Sequence, residues 1–142
     1  MRFGLDKLLW AASSVLLGVT FATPVLAGPV PMAQNAHIND QLRAGFVGDV
    51  LRNTCPTLSA RMLVVMGRLW DLKAYAEAQG YTGADYDAFR NDPGQKTRLK
   101  DEAAAYLAAA GAKPDDVESY CAVGEDEIAK NTPVGQLLRS SR

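Results

Sequence analysis

Few side chains in this 142-residue chain could do chemistry: one histidine, two cysteines and an acidic stretch between residues 115 and 127. A lone His37 cannot build a multi-histidine metal site, and two thiols cannot build a four-thiolate zinc site. His37 also lies in a Pro-containing segment, residues 28–37, with no apolar periodicity, so Ser-His-Asp or Cys-His catalysis cannot be assembled around it. The carboxylates remain. Asp115, Asp116 and Glu118 precede Glu125, Asp126 and Glu127, and two carboxylates can run acid–base hydrolysis when burial drives their acidities apart. The simpler reading puts each group in the first turn of a short helix, where negative charge complements the helix dipole. The calcium reading is similarly weak, because the segment lacks the alternating oxygen ligands, central glycine and terminal glutamate of an EF-hand loop. The Tyr106 and Tyr120 hydroxyls are read as the polar tips of packing residues. No metal and no cofactor is expected.

Charge excludes two further classes. Fifteen Lys and Arg against 16 Asp and Glu give a net charge of -1, without the clustered positive charge that nucleic acid or an anionic membrane surface requires. The N-terminus is more informative. Arg2 and Lys7 flank a single Asp6, Leu8 to Ala22 is mostly apolar, and Thr23-Pro24-Val25-Leu26-Ala27-Gly28 follows. A basic start, a short apolar run, a helix breaker and small residues before Gly28 describe a secretory signal peptide, residues 1–27, cleaved after Ala27. A cut after Ala22 ranks second. An uncleaved anchor would need ~20 apolar residues, and Ser13, Ser14, Gly18 and Thr20 dilute this run.

Cys55 and Cys121 both lie beyond that segment, so an oxidising compartment makes a disulfide between them the expected state. Closing so long a loop is worth about 4 kcal/mol in the chain-entropy model. A reactive thiol would instead call for a cationic neighbour and a reducing environment.

The elements that position these residues read as helices. Residues 28–37 form a flexible lead, and 38–142 a single domain with a C-terminal tail. Asn39 or Asp40 caps a first helix presenting Leu42, Phe46, Val47, Val50 and Leu51, which ends at Cys55-Pro56. Thr57 or Ser59 caps a second, which runs to Gly80. Its stripe of Met62, Val65, Met66, Leu69, Leu72 and Ala76, widened by Leu63, Trp70 and Ala74, covers more than half the circumference. A helix this apolar is expected at the centre of the fold. Core is the expected role of the stripe, with the Met62, Met66 and Trp70 side as the part that could meet another protein.

Thr82 to Asp85 opens a short third helix burying Tyr86 and Phe89, and Asp92-Pro93 starts a fourth that stops at Gly111. Pro114 begins a fifth through Val117 and Cys121, and Glu125 to Lys130 forms a sixth turn around Ile128. Nothing alternates at period two for long enough to be a strand. The predicted class is all-α, a bundle of five to six short helices stapled by one disulfide. Leu137 and Leu138, close to the C-terminus, either complete the chain's own core or dock on a partner.

Several short blocks then form an ordered pattern: Ile38-Asn39-Asp40, Cys55-Pro56 with Ser59-Ala60-Arg61, Tyr75-Ala76, Gly80-Tyr81, Ala105-Tyr106-Leu107, Glu118-Ser119-Tyr120-Cys121, Val123-Gly124, Asp126-Glu127-Ile128, Gly135 and Leu137-Leu138-Arg139. Together they resemble the exported domain-of-unknown-function family 5333, over nearly all of the chain beyond the signal peptide. The resemblance implies a small alphaproteobacterial periplasmic protein and supplies no catalytic residues.

Two functional expectations follow. The first is a non-enzymatic interaction protein, an accessory subunit on the periplasmic face of an inner-membrane complex. Respiratory assemblies lead, by architectural analogy with the small disulfide-bonded subunits of proton-pumping NADH dehydrogenase. Trp70, Arg68 and Arg139 are candidate anchors beside Leu137 and Leu138, because interfaces concentrate energy in aromatic and Arg residues. The second is a small periplasmic hydrolase or lyase using the carboxylates of 115–127.

Overall fold

A computed structural model describes residues 28–142, which form five α-helices and one two-stranded antiparallel ladder. The expected signal peptide, residues 1–27, lies outside the described residues.

The first helix, α1 (Ala36–Thr54), begins earlier than its apolar periodicity suggests. Asn35 is the cap, its side chain accepting from the Ile38 amide at 3.1 Å. A 3-10 turn, Met32–Gln34, precedes it with Met32 buried, and the Tyr81 hydroxyl donates to Val30 O at 2.7 Å. The segment read as a flexible lead is therefore tied down, and His37 sits in α1 with its ring 4.3 Å from that of Tyr75. Asn39, expected as a cap, points inward instead. Its amide donates to Met32 O at 3.0 Å and Asn35 O at 2.8 Å, and its carbonyl accepts from Arg98.

The central helix is α1, not the more apolar one that follows. Ile38 and Leu42 enter a cluster with Met32, Leu72, Ala76, Tyr86 and Leu99. Further along, Val47 and Leu51 enter a second cluster with Cys55, Leu58, Ala103, Leu107, Cys121 and Leu138. Phe46 packs against both. The fourth helix, α4 (Pro93–Ala109), runs beside α1 in the most extensive helix pair and likewise serves both clusters, through Leu99 and through Ala103 and Leu107. The second helix, α2 (Met62–Ala78), buries only Leu72 and Ala76.

Local signals for the third and fourth helices hold, whereas the helix expected to begin at Pro114 starts at Val117, behind Asp115 in the left-handed conformation. Thr82 and Asp85 form a reciprocal capping box for α3 (Gly83–Asn91), and Asp92 caps α4 with Pro93 in its first turn. Gly80 and Gly111, at φ of 93° and 103°, end α2 and α4 in the left-handed conformation that glycine adopts without strain. The last helix, α5 (Val117–Ala129), is continuous where two pieces are expected, and Asp116 caps it. Gly124 does not break it; Leu58 packs so closely there that a Cβ would stand 2.2 Å from its Cδ1.

The Cys55–Cys121 disulfide joins the end of α1 to α5, with Cα atoms 5.1 Å apart. Next to it lies a short ladder, where no strand is expected from period-two alternation. Strands β1 (Leu58–Ala60) and β2 (Leu138–Ser140) pair antiparallel, with Leu58 opposite Ser140 and Ala60 opposite Leu138. Drawing Ser59 and Ala60 into this ladder delays α2 until Met62. A second 3-10 turn, Gly135–Leu137, leads into β2, and the Arg61 amide donates to Leu137 O at 2.8 Å. No helix among the described residues is long and apolar enough to cross a membrane.

Candidate partner-binding face

The first half of α2 is held at its edges and open on its outer side. Met62, Met66 and Trp70 recur every four residues and make one stripe, with Leu63 beside it. Leu63 is 91% exposed, Trp70 66%, Met62 57% and Met66 48%. The expectation that this stripe is mainly core is therefore corrected. The reason is attachment: α2 packs inward through Leu72 and Ala76 near its end, while the second 3-10 turn holds its start from one side. Gly67 lies within the open region, and a Cβ there would meet nothing within 4 Å.

The candidate anchors separate. Leu137 and Leu138 are buried, and Leu138 belongs to the second core cluster, so they complete this chain's own core and leave the candidate partner surface. Arg68 leans the other way from Trp70, its guanidinium donating to the Gln136 carboxamide, while Arg61 donates to Gln136 O at 3.2 Å. Arg139 is exposed, with Nε donating to Ser59 Oγ at 2.9 Å, and it lines an open depression with Met62 and Leu63. Trp70 and Arg139 thus stay at the open face, and Arg68 stands at its border.

The acidic residues of 115–127 do not converge. Asp116 accepts from the Ser119 amide at 3.2 Å, Glu118 takes both arms of Arg142 at 2.8 and 2.9 Å, and Asp126 pairs with Lys130 at 2.7 Å. The Arg142 guanidinium holds the Glu118 carboxyl below the usual range. Glu127 is buried, accepting from the Tyr106 hydroxyl at 2.6 Å and from Thr132 Oγ1. Hydrogen bonding to that carboxylate, followed by burial, pushes the Tyr106 phenol up to about 12. The Thr132 hydroxyl also accepts from the Gly135 amide at 3.0 Å, so this network fastens the C-terminal turn to α5. Tyr120 packs at the edge of the second core cluster.

The molecule is thus a mostly helical domain built on a central α1, stapled by one disulfide and carrying an open apolar helix face. The chain belongs to a family of unknown function, DUF5333, whose model matches residues 30–139. No curated protein and no solved structure matches it.

Proposed function

We propose that this is a non-enzymatic, exported interaction protein whose partner covers the first half of α2. One observation carries the reading: Met62, Leu63, Met66 and Trp70 stand side by side in solvent on a helix whose far end is anchored in the core. Soluble monomers rarely expose contiguous apolar patches beyond a few hundred Å², and Trp is among the residues on which interface energy concentrates. Export is supported by the signal-like residues 1–27 and by the disulfide, since such bonds persist in oxidising compartments. The partner proposed is an inner-membrane assembly, met on its periplasmic side, with a respiratory complex as the leading candidate.

The test is a photo-crosslinking amino acid placed at Leu63 in living cells, with Lys100, exposed on α4, as control site. A discrete heavier adduct from position 63 and none from position 100 is expected. Equal, diffuse crosslinking from both positions, or none from position 63, overturns the reading.

A further inference from the structure

Four positions of α2 face directly away from the core. At about 100° per residue, Leu63, Gly67, Trp70 and Ala74 fall within about 60° of one another, on the side opposite the buried Leu72 and Ala76, and all four are exposed. Their spacing alternates between four residues and three, the alternation with which two packed helices keep one seam between them. Size alternates along the seam as well, large at Leu63 and Trp70 and small at Gly67 and Ala74. The space over Gly67 is not filled from within the chain, since a Cβ there would meet nothing within 4 Å.

A surface that pairs with a second copy of itself about a two-fold axis must fit its own reverse. This one does. Laid antiparallel with Trp70 over the second copy's Gly67, the same axis sets Leu63 over the second copy's Ala74, so that each large side chain meets a small one and the helices approach closely. A parallel pairing would stack Trp70 on Trp70 and Leu63 on Leu63, leaving voids beside Gly67 and Ala74. Charge selects the same direction. Arg61 and Arg139 border the depression beside Met62 and Leu63 at the start of α2, and Glu77 stands exposed near its end. None of these three has an ion-pair partner among the described residues. Antiparallel pairing carries each Glu77 to the Arg61 and Arg139 end of the other copy, whereas parallel pairing sets like charges against each other.

We propose that the free protein pairs with a second copy of itself through an antiparallel seam of the two α2 helices, Trp70 of each copy seated over Gly67 of the other and Glu77 of each beside Arg61 and Arg139 of the other. The inference rests on the open face that carries the partner reading and goes beyond the assembly proposed there. The second copy is the occupant before the assembly is met, and the two occupants exclude one another.

Sedimentation velocity of the purified, disulfide-bonded protein over about 1–300 μM reads the pairing. The mass should double with concentration by mass action. Gly67→Leu fills the seat of the second copy's Trp70, twice per dimer, and should weaken pairing by at least about tenfold. Its urea midpoint should hold or rise, because the new side chain meets nothing within its own chain and a glycine is removed from a helix interior. Arg139→Glu and Glu77→Arg should each weaken pairing several fold, and the two combined in one chain should restore it. A protein that stays monomeric over this range, pairing undiminished in Gly67→Leu, or charge reversals without effect overturns the proposal. Each of these leaves the assembly reading to the crosslinking at position 63, where a second copy gives an adduct of twice the chain's mass and an assembly subunit gives one of a different mass.

Discussion

Gly135→Ala is the sharpest probe of how the C-terminal turn is seated. A Cβ at this position would stand 1.9 Å from Glu127 O, 2.3 Å from Glu127 C and 2.7 Å from Ile128 N. All three are backbone atoms near the end of α5, where Glu127 O already accepts from the Thr132 amide at 3.2 Å, so there is no side chain to swing aside. An ordinary carbon–oxygen contact is about 3.3 Å or longer, so the turn must withdraw by more than ~1 Å. Withdrawal stretches the Gly135 amide bond to Thr132 Oγ1 and loosens the buried Leu137 and Leu138 that follow. Overpacking costs ~1–3 kcal/mol, and partial exposure of one leucine adds ~1 kcal/mol or more, giving a loss of about 3 kcal/mol. At ~1–3 kcal/mol per molar urea, the unfolding midpoint falls by at least ~1 M. Far-ultraviolet circular dichroism in urea reads it. Gly45→Ala in α1 is the matched control: a Cβ there meets nothing within 4 Å, and stability should rise by up to ~1 kcal/mol. A Gly135→Ala variant within ~0.5 kcal/mol of the parent would refute this contact between turn and α5.

The other expectations concern the staple and the ionisable groups. Cys55→Ser should lower stability by ~2–5 kcal/mol in the same urea assay, and reductant should reproduce the loss in the parent; an unchanged midpoint in both contradicts a structural disulfide. Tyr106 favours its neutral form in the folded protein, so its contribution is complete below pH ~10, declines above that and is gone once pH passes its folded value of about 12. Alkaline phenolate absorbance should show a late step that Tyr106→Phe removes. Arg142→Ala should return the Glu118 carboxyl upward to the ordinary glutamate range, followed by its side-chain carbon-13 shift during acid titration. No movement would mean that the pair at 2.8 Å does not persist in solution.

The helical class and most helix punctuation are legible because they are written locally, and the disulfide because the chain holds two cysteines and both lie beyond the signal-like segment. Thr82 with Asp85, Asp92 with Pro93, and Gly80 and Gly111 each act within one turn of chain. What escaped was set by distant partners. The ladder joins three-residue strands about 80 positions apart, too short for a period-two pattern to register, and it moved the start of α2. Asn39 carries a good capping side chain, yet Asn35 takes that role while Arg98, 59 residues away, holds Asn39 inside. The apolar character of α2 was read correctly and its position was not, because periodicity reports a face and not what covers it. Carboxylates 115–127 looked like one cluster in sequence, and their separate engagements with Arg142, Lys130 and Tyr106 emerge only in three dimensions.

Native-gel migration of mildly solubilised membranes reads whether a partner covers the open face of α2. The parent should run with a large assembly, and a Leu63→Asp, Met66→Asp, Trp70→Asp variant should run free with its circular dichroism and urea midpoint retained, because none of the three side chains is buried. Arg142→Ala, altered far along the chain at an exposed pair, should stay with the assembly. Recovery of the parent solely as a free monomer under gentle, low-salt conditions, or unchanged migration of the triple variant, would mean that no partner covers this face.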